Sequence, residues 1–216
     1  MGMIHTLRAG LRGREVLRLD RVALPVRGVL AVLGKGGSGK STLLRALAGR
    51  LAALPEWEVR LECDGLPGPV AFVPQRRRSE ERCREAWGPA PCAAPLPAGC
   101  TFAAPDGACA AGGGTCALKW NALMQEALQS PAPMILLDEP EGGVPGYSLD
   151  ALAEVLRDLR RTSTIVLVTH HLAFAERVCD SALFLEDGRK LMQAEREEFF
   201  QGPTHYRVQE FLKWGG

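Results

Sequence analysis

Gly34-Lys35-Gly36-Gly37-Ser38-Gly39-Lys40-Ser41-Thr42 restricts the fold of this 216-residue chain more than any other stretch. It satisfies the pattern Gly-x-x-x-x-Gly-Lys-Ser, with two further glycines at variable positions. Ahead of it, Val29-Leu30-Ala31-Val32-Leu33 reads as a short buried strand; behind it, Leu43, Leu44, Ala46 and Leu47 recur at helical spacing. Glycines between a strand and a helix let the backbone turn tightly, so that successive N–H groups point at one anion. The helix start adds its partial positive charge. In such a loop Lys40 reaches the β- and γ-phosphates and the Ser41 hydroxyl ligates Mg²⁺. Gly34, Lys35, Gly36, Gly37, Ser38, Gly39, Lys40, Ser41 and Thr42 are therefore the expected phosphate-binding residues, and a nucleoside triphosphate is the expected ligand.

A second apolar run, Met134-Ile135-Leu136-Leu137, ends in Asp138-Glu139. At the C-terminal edge of a strand, Asp138 can hold Mg²⁺ through its water shell. Glu139, one residue further, is placed to polarise an attacking water as general base. Thr164-Ile165-Val166-Leu167-Val168 reads as another strand and ends in Thr169-His170-His171. Ligands of open α/β sheets sit at that edge, so the His170 imidazole is expected against the γ-phosphate. His171 reads as structural or solvent-facing.

The rest of the chain supplies alternating elements. Residues 3–8 and 14–20 read as strands around a Gly/Arg turn, and a helix is expected from Lys40 to about Ala53. Trp57 to Cys63 alternates apolar and polar side chains as a half-buried strand does. Val70-Ala71-Phe72-Val73 is a short strand ending at Pro74-Gln75. A helix from Thr115, as N-cap, carries Leu118, Ala122, Leu123, Ala127 and Leu128. Further expectations are a helix from Ser148 to about Arg160, a helix over Leu172–Val178, a hairpin turning at Asp187-Gly188, and two closing helices around Glu195–Phe200 and Tyr206–Leu212. This alternation argues an α/β fold with a largely parallel central sheet. Between Gly88 and Gly114 the chain is mostly Ala, Gly, Pro and Cys, too poor in large apolar residues for a core of its own.

Composition narrows the classes. A net charge of +1 gives no global electrostatic case for nucleic acid or an anionic membrane. No apolar run approaches the ~20 residues that span a bilayer, and the N-terminus lacks the apolar stretch of a secretory signal. Seven cysteines, five of them between Cys83 and Cys116, contain no Cys-x-x-Cys pair. Free thiols are the expectation, with a metal or redox site in the cluster as the alternative.

Taken together, the motif order resembles the nucleotide-binding domain of an ABC-type ATPase. Gly34–Thr42 matches the Walker A loop, Gln75 the Q-loop glutamine, Asp138-Glu139-Pro140 Walker B, Ser148-Leu149-Asp150 the D-loop and Thr169-His170 the switch histidine. Glu197 to Leu212 is similar to the C-terminus of polar amino-acid importer ATPases. The resemblance covers residues 14–75 and 115–192 well. It implies a P-loop NTPase fold of ABC type with an antiparallel N-terminal part. It implies one domain over 1–216, whose catalytic core is 1–75 and 115–216 and whose reduced, loop-rich helical subdomain is the insert 76–114. ATP and Mg²⁺ are the implied cofactors, with Gln75 at the nucleotide and at the metal beside Ser41 and Asp138. Lys40, Glu139 and His170 are the implied catalytic residues. A second nucleotide-binding subunit, in a homodimer or heterodimer, and a membrane permease are the implied partners, with the chain cytoplasmic and peripheral at the inner face of the membrane.

The sequence departs from the family at four places. The signature Leu-Ser-Gly-Gly-Gln, donated in trans to the partner's γ-phosphate, is replaced in ungapped register by Gly114-Thr115-Cys116-Ala117-Leu118. Gly112-Gly113-Gly114 compensates only if the loop shifts by about three residues. The stretch between Gln75 and Gly114 is short for the helical subdomain, and seven residues separate Pro140 from Ser148 where the family has one or two. No aromatic stands near Leu11 to stack on the base. These departures keep open an ABC-like nucleotide switch, or a degenerate half of a heterodimer, beside the hydrolysing subunit. A P-loop kinase acting on a small acceptor is the third reading, opposed by Glu139 and His170.

Overall fold

The computed structural model describes residues 2–66, 68–75, 132–142 and 149–214. Among them nine strands form one mixed sheet in the order β4-β1-β2-β9-β8-β3-β7-β6-β5. The strands are β1 (Gly2–Leu11), β2 (Arg14–Leu24), β3 (Gly28–Leu33), β4 (Trp57–Asp64), β5 (Val70–Val73), β6 (Met134–Asp138), β7 (Thr164–Val168), β8 (Ser181–Glu186) and β9 (Arg189–Glu195). The five neighbours β8, β3, β7, β6 and β5 run parallel. β1 pairs antiparallel with β2 and with β4, and β8 with β9. The antiparallel N-terminal part and the parallel centre are thus continuous, joined where β2 and β9 pair parallel at Arg18 and Arg189.

Burial follows from the sequence patterns. Every residue of β3, β6 and β7 is buried, as expected for parallel strands covered on both faces. Edge strand β4 alternates half-buried with exposed positions. Successive side chains of the central strands divide the core in two. Val29, Ala31, Leu33, Ile135, Leu137, Ile165 and Leu167 face one layer, closed by helices α2 (Leu149–Leu159), α3 (Leu172–Val178), α4 (Arg196–Gln201) and α5 (Tyr206–Trp214). There Phe184 meets Phe211 edge to face, with ring centroids 4.9 Å apart. Leu30, Val32, Met134, Leu136, Val166 and Val168 face the other layer, with Leu43, Leu44 and Leu47 of α1 (Lys40–Leu47) and the apolar residues of β1 and β2. Each fully buried Leu or Phe contributes about 1.5–3 kcal/mol relative to exposure.

Helix α1 is shorter than the sequence pattern suggests. It stops at Leu47 and does not continue to Ala53, because Gly49 adopts a left-handed conformation at φ 68°. The Gly49 N–H donates to Ala46 O and the Arg50 N–H to Arg45 O, which together form the two bonds of a Schellman cap. The helix expected from Ser148 begins, within the described residues, at Leu149. The insert 76–114, the helix expected from Thr115, the altered signature and Ser148 lie outside the described residues.

The turn between β8 and β9 props the glycine-rich loop from behind. The Gly188 N–H donates to Ser38 O at 3.2 Å, and Gly188 O accepts from the Arg18 N–H at 2.7 Å. At φ 73°, Gly188 stands where an added Cβ would come 2.2 Å from Val16 O. Gly188→Ala therefore combines backbone strain with a clash against main chain. We expect it to lower stability by ~2 kcal/mol or more, read as a fall in the urea midpoint at unchanged slope.

Candidate functional site

The topology brings four strand ends to one edge of the sheet. Val32 of β3 and Asp138 of β6 both pair with Val168 of β7, and Val73 of β5 pairs with Leu137 of β6. The segments leaving these strands, Gly34–Gly39, Glu139–Gly142, Thr169-His170 and Pro74-Gln75, therefore lie side by side.

The glycine-rich loop is closed by its own lysine. The Lys40 ammonium is buried and donates to Gly34 O at 2.7 Å and to Lys35 O at 2.8 Å. Burial pushes its pKa down, opposed by the negative charges of Glu139 and Asp138. Gly34 is required where it is: at φ 146°, an added Cβ would meet Leu185 O at 2.2 Å. Beyond it the backbone opens, with nothing within 4 Å of the Cβ positions of Gly36 and Gly37. α1 starts from Gly39 with no side-chain cap and no acidic residue in its first turn. Its first N–H groups thus carry no intrahelical bond, as at any helix start, and no competing carboxylate. Ser38 Oγ is buried with no hydrogen-bond partner among the described residues. These are the features of a cradle for an anion.

Beside the loop, the Ser41 hydroxyl donates to Asp138 Oδ1 at 3.2 Å. Asp138 is almost wholly buried at the end of β6. A hydroxyl and a carboxylate, both hard oxygen donors, suit Mg²⁺, so the residues present fit that ion.

Glu139 leaves β6 in a left-handed conformation, φ 49°, its N–H donating to Val168 O at 2.9 Å. This non-glycine backbone costs on the order of 1 kcal/mol or more and marks a constrained position. The turn lifts the carboxylate off the strand axis to where two strands meet. Glu139 Oε1 lies 2.5 Å from His170 Nε2, and Glu139 Oε2 accepts from the Gln75 amide. Gln75 thus meets the Glu139 carboxylate, while Ser41 pairs with Asp138. His171 is exposed and stands at the N-cap of α3, its N–H donating to Thr169 Oγ1 at 3.1 Å.

Sequence reasoning passed over Glu141, which lies in the short 3₁₀ turn Pro140–Gly142. Its Oε1 accepts from the Thr169 hydroxyl at 2.5 Å and from the His170 N–H at 3.3 Å. The only available signal was a carboxylate two residues past Glu139 in an otherwise Gly- and Pro-rich loop.

Against solved structures, the chain matches one described as the structure of an ATP binding subunit of an ABC transporter, with a TM-score of 0.65, 20% identity and 99% of each chain covered. The chain has the fold of an ABC ATP-binding subunit. No protein-family model matches it. Among curated proteins it is similar to the probable amino-acid import ATP-binding protein YxeO of Bacillus subtilis, 34% identical over 38% of this chain and 33% of the relative. The glutamine transport ATP-binding protein GlnQ of Geobacillus stearothermophilus is 35% identical over 37% of this chain and 33% of the relative. The phosphate import ATP-binding protein PstB 2 of Mycobacterium tuberculosis is 32% identical over 37% and 29%. The matched stretches thus span about a third of the length of these curated relatives.

On that fold, the Gly34–Thr42 loop, Asp138-Glu139, Gln75 and His170 converge on one edge of the sheet. Of the expected D-loop residues, Asp150, in the first turn of α2, accepts from the Arg177 guanidinium and ties α2 to α3, while Ser148 lies outside the described residues. Of the cysteines, Cys63 and Cys179 are free thiols. Burial, foremost, with Asp180 next, pushes the Cys179 thiol up to about 12, so it stays protonated and inert. The five clustered cysteines lie outside the described residues. Among the described residues no helix is long and apolar enough to cross a membrane.

Proposed function

We propose that this chain binds ATP with Mg²⁺ and hydrolyses it as the ATP-binding subunit of an ABC transporter. The observation that carries the reading is the meeting of Lys40, the Ser41–Asp138 pair and the Glu139–His170 contact at one sheet edge. The glycine-rich loop binds the phosphate chain through its backbone N–H groups, and Lys40 supplies positive charge at the β- and γ-phosphates. Ser41 and Asp138 would hold Mg²⁺, which neutralises charge developing between the β- and γ-phosphates. Glu139 orients and deprotonates the attacking water; His170, in contact with that carboxylate, holds it in place and senses the γ-phosphate. A strained backbone at Glu139 fixes the base before substrate arrives.

The names of the similar proteins support a transport ATP-binding subunit and differ on cargo: probable amino-acid import, glutamine transport and phosphate import. The partners of this reading are a second nucleotide-binding subunit and a membrane permease that holds the chain at the inner membrane face. The test is phosphate release from Mg²⁺-ATP by the purified chain, alone and with a co-expressed permease. Release that is abolished by chelation and stimulated by the permease is expected. Neither ATP binding nor release under both conditions would overturn the reading.

The altered signature predicts a slow enzyme on its own. In the ungapped register, Cys116 and Ala117 replace the two glycines by which the family's bare backbone approaches the partner's γ-phosphate, a change of donor expected to cost ~10²-fold in turnover. Replacing both with glycine restores close approach at a helix-propensity cost of roughly 1 kcal/mol per residue. Turnover of the double variant should rise. A fall or no change means that Gly112–Gly114 or another subunit supplies the donor, and adding the cognate subunit to the unmodified protein separates those two.

A further inference from the structure

We propose that Glu141 is the positioning residue for His170, a role that rests on the hydrolytic reading above and deepens it. One carboxylate oxygen, Glu141 Oε1, accepts from both the Thr169 hydroxyl and the His170 N–H. The Thr169 hydroxyl in turn accepts from the His171 N–H at 3.1 Å. Thr169 has a single O–H proton, so this chain of bonds has one polarity, running from His171 through Thr169 to Glu141. The Thr169 hydroxyl and the His170 N–H thus both end on one anchor in the loop after β6, and the His171 N–H is linked to it through Thr169.

The anchor matters because the imidazole itself is weakly held. The His170 side chain is 50% exposed, against 19% for Glu139, yet its Nε2 sits 2.5 Å from Glu139 Oε1. A half-exposed ring has few packing contacts to select its rotamer, so the backbone it springs from must set its reach. Glu141 fixes that backbone from the same loop that carries Glu139, which makes the base and its imidazole partner move as one unit. The cost is visible: Glu141 Oε2 is buried without a hydrogen-bond partner among the described residues. A buried unpaired carboxylate oxygen opposes stability, so a side chain serving loop packing alone would be apolar or a hydroxyl. The carboxylate is explained by the two donors it collects.

The decisive comparison is Glu141→Leu, of similar size and without an acceptor, against Glu141→Gln, whose amide oxygen still accepts both bonds. E141L should lower kcat about tenfold, the scale of one lost hydrogen bond of charged character, with KM for ATP within about twofold. E141Q should restore turnover to within about threefold of the wild type. In a His170→Ala background E141L should have no further effect, because it acts through the ring. Thr169→Val, which removes the second donor, should shift kcat in the same direction and keeps the test open if E141L does not fold. Independently of turnover, the His170 ring cross-peaks of the nucleotide-free protein should move in E141L toward those of a free imidazole and stay with the wild type in E141Q. The inference is overturned by unchanged kcat and unchanged ring signals in E141L, by E141Q behaving as E141L, or by an undiminished E141L effect without His170. Ring signals that respond as stated in a protein releasing no phosphate would sink the hydrolytic reading and leave this one standing.

Discussion

Lys40→Ala is expected to reduce ATP affinity at least ~10²-fold, the equivalent of one charge-assisted hydrogen bond of about 2.7 kcal/mol. Two effects act together. The ammonium proposed to meet the β- and γ-phosphates is lost, and Gly34 O and Lys35 O lose the donor that closes the loop. Among the described residues no other cation reaches these carbonyls, and Asp138 and Glu139 lose the lysine charge that opposed theirs. Stability should change little, since relief of the buried charge is offset by the donor lost to Gly34 O and Lys35 O. Calorimetric titration with Mg²⁺-ATP checks the binding; unchanged affinity would remove the phosphate-loop assignment altogether.

Much of this arrangement is legible in the residues, for reasons specific to each. Parallel strands covered on both faces must be apolar nearly throughout, so Val29–Leu33, Met134–Leu137 and Ile165–Val168 announce themselves as short unbroken runs, and Val70–Val73 reads the same way although it is an edge strand with Val70 exposed. The residue types that end these runs, Gly34, Asp138-Glu139 and His170, then fall at one edge because parallel strands share one direction. α1 is shorter than its apolar spacing implies, because that spacing continues past its last turn while the stop rests on Gly49. That glycine is the readable signal, a C′ residue followed by Arg50 with the bond to Arg45.

Contacts between side chains are a different matter. Spacing places Gln75 and Asp150 on the right elements and says nothing of their hydrogen bonds. Gln75 meets Glu139, and Asp150 meets Arg177 across two helices. Glu141 was hidden for a related reason. A carboxylate in a Gly- and Pro-rich loop is usually solvated, and only the tertiary approach of the turn after β7 gives it two donors.

Glu139→Gln separates binding from chemistry more sharply than any other substitution here. The amide keeps the size of the carboxylate and can still bridge Gln75 and His170, and the left-handed backbone at this position is not altered by the change. Thermal stability and ATP affinity should therefore stay close to the wild type. What is removed is the ability to take a proton from water, and loss of a general base costs ~10²-fold or more in turnover. Binding without hydrolysis should also trap ATP between two subunits, so sedimentation with Mg²⁺-ATP should show a dimer in E139Q where the wild type cycles back to monomer. Hydrolysis retained within about tenfold would shift the base assignment away from Glu139, with His170 next in line by its 2.5 Å contact. A variant that binds ATP, fails to hydrolyse it and stays monomeric would instead argue against a sandwich of two identical chains. The second half would then have to come from a different subunit, one whose own signature residues complete the site that Lys40 and Glu139 begin.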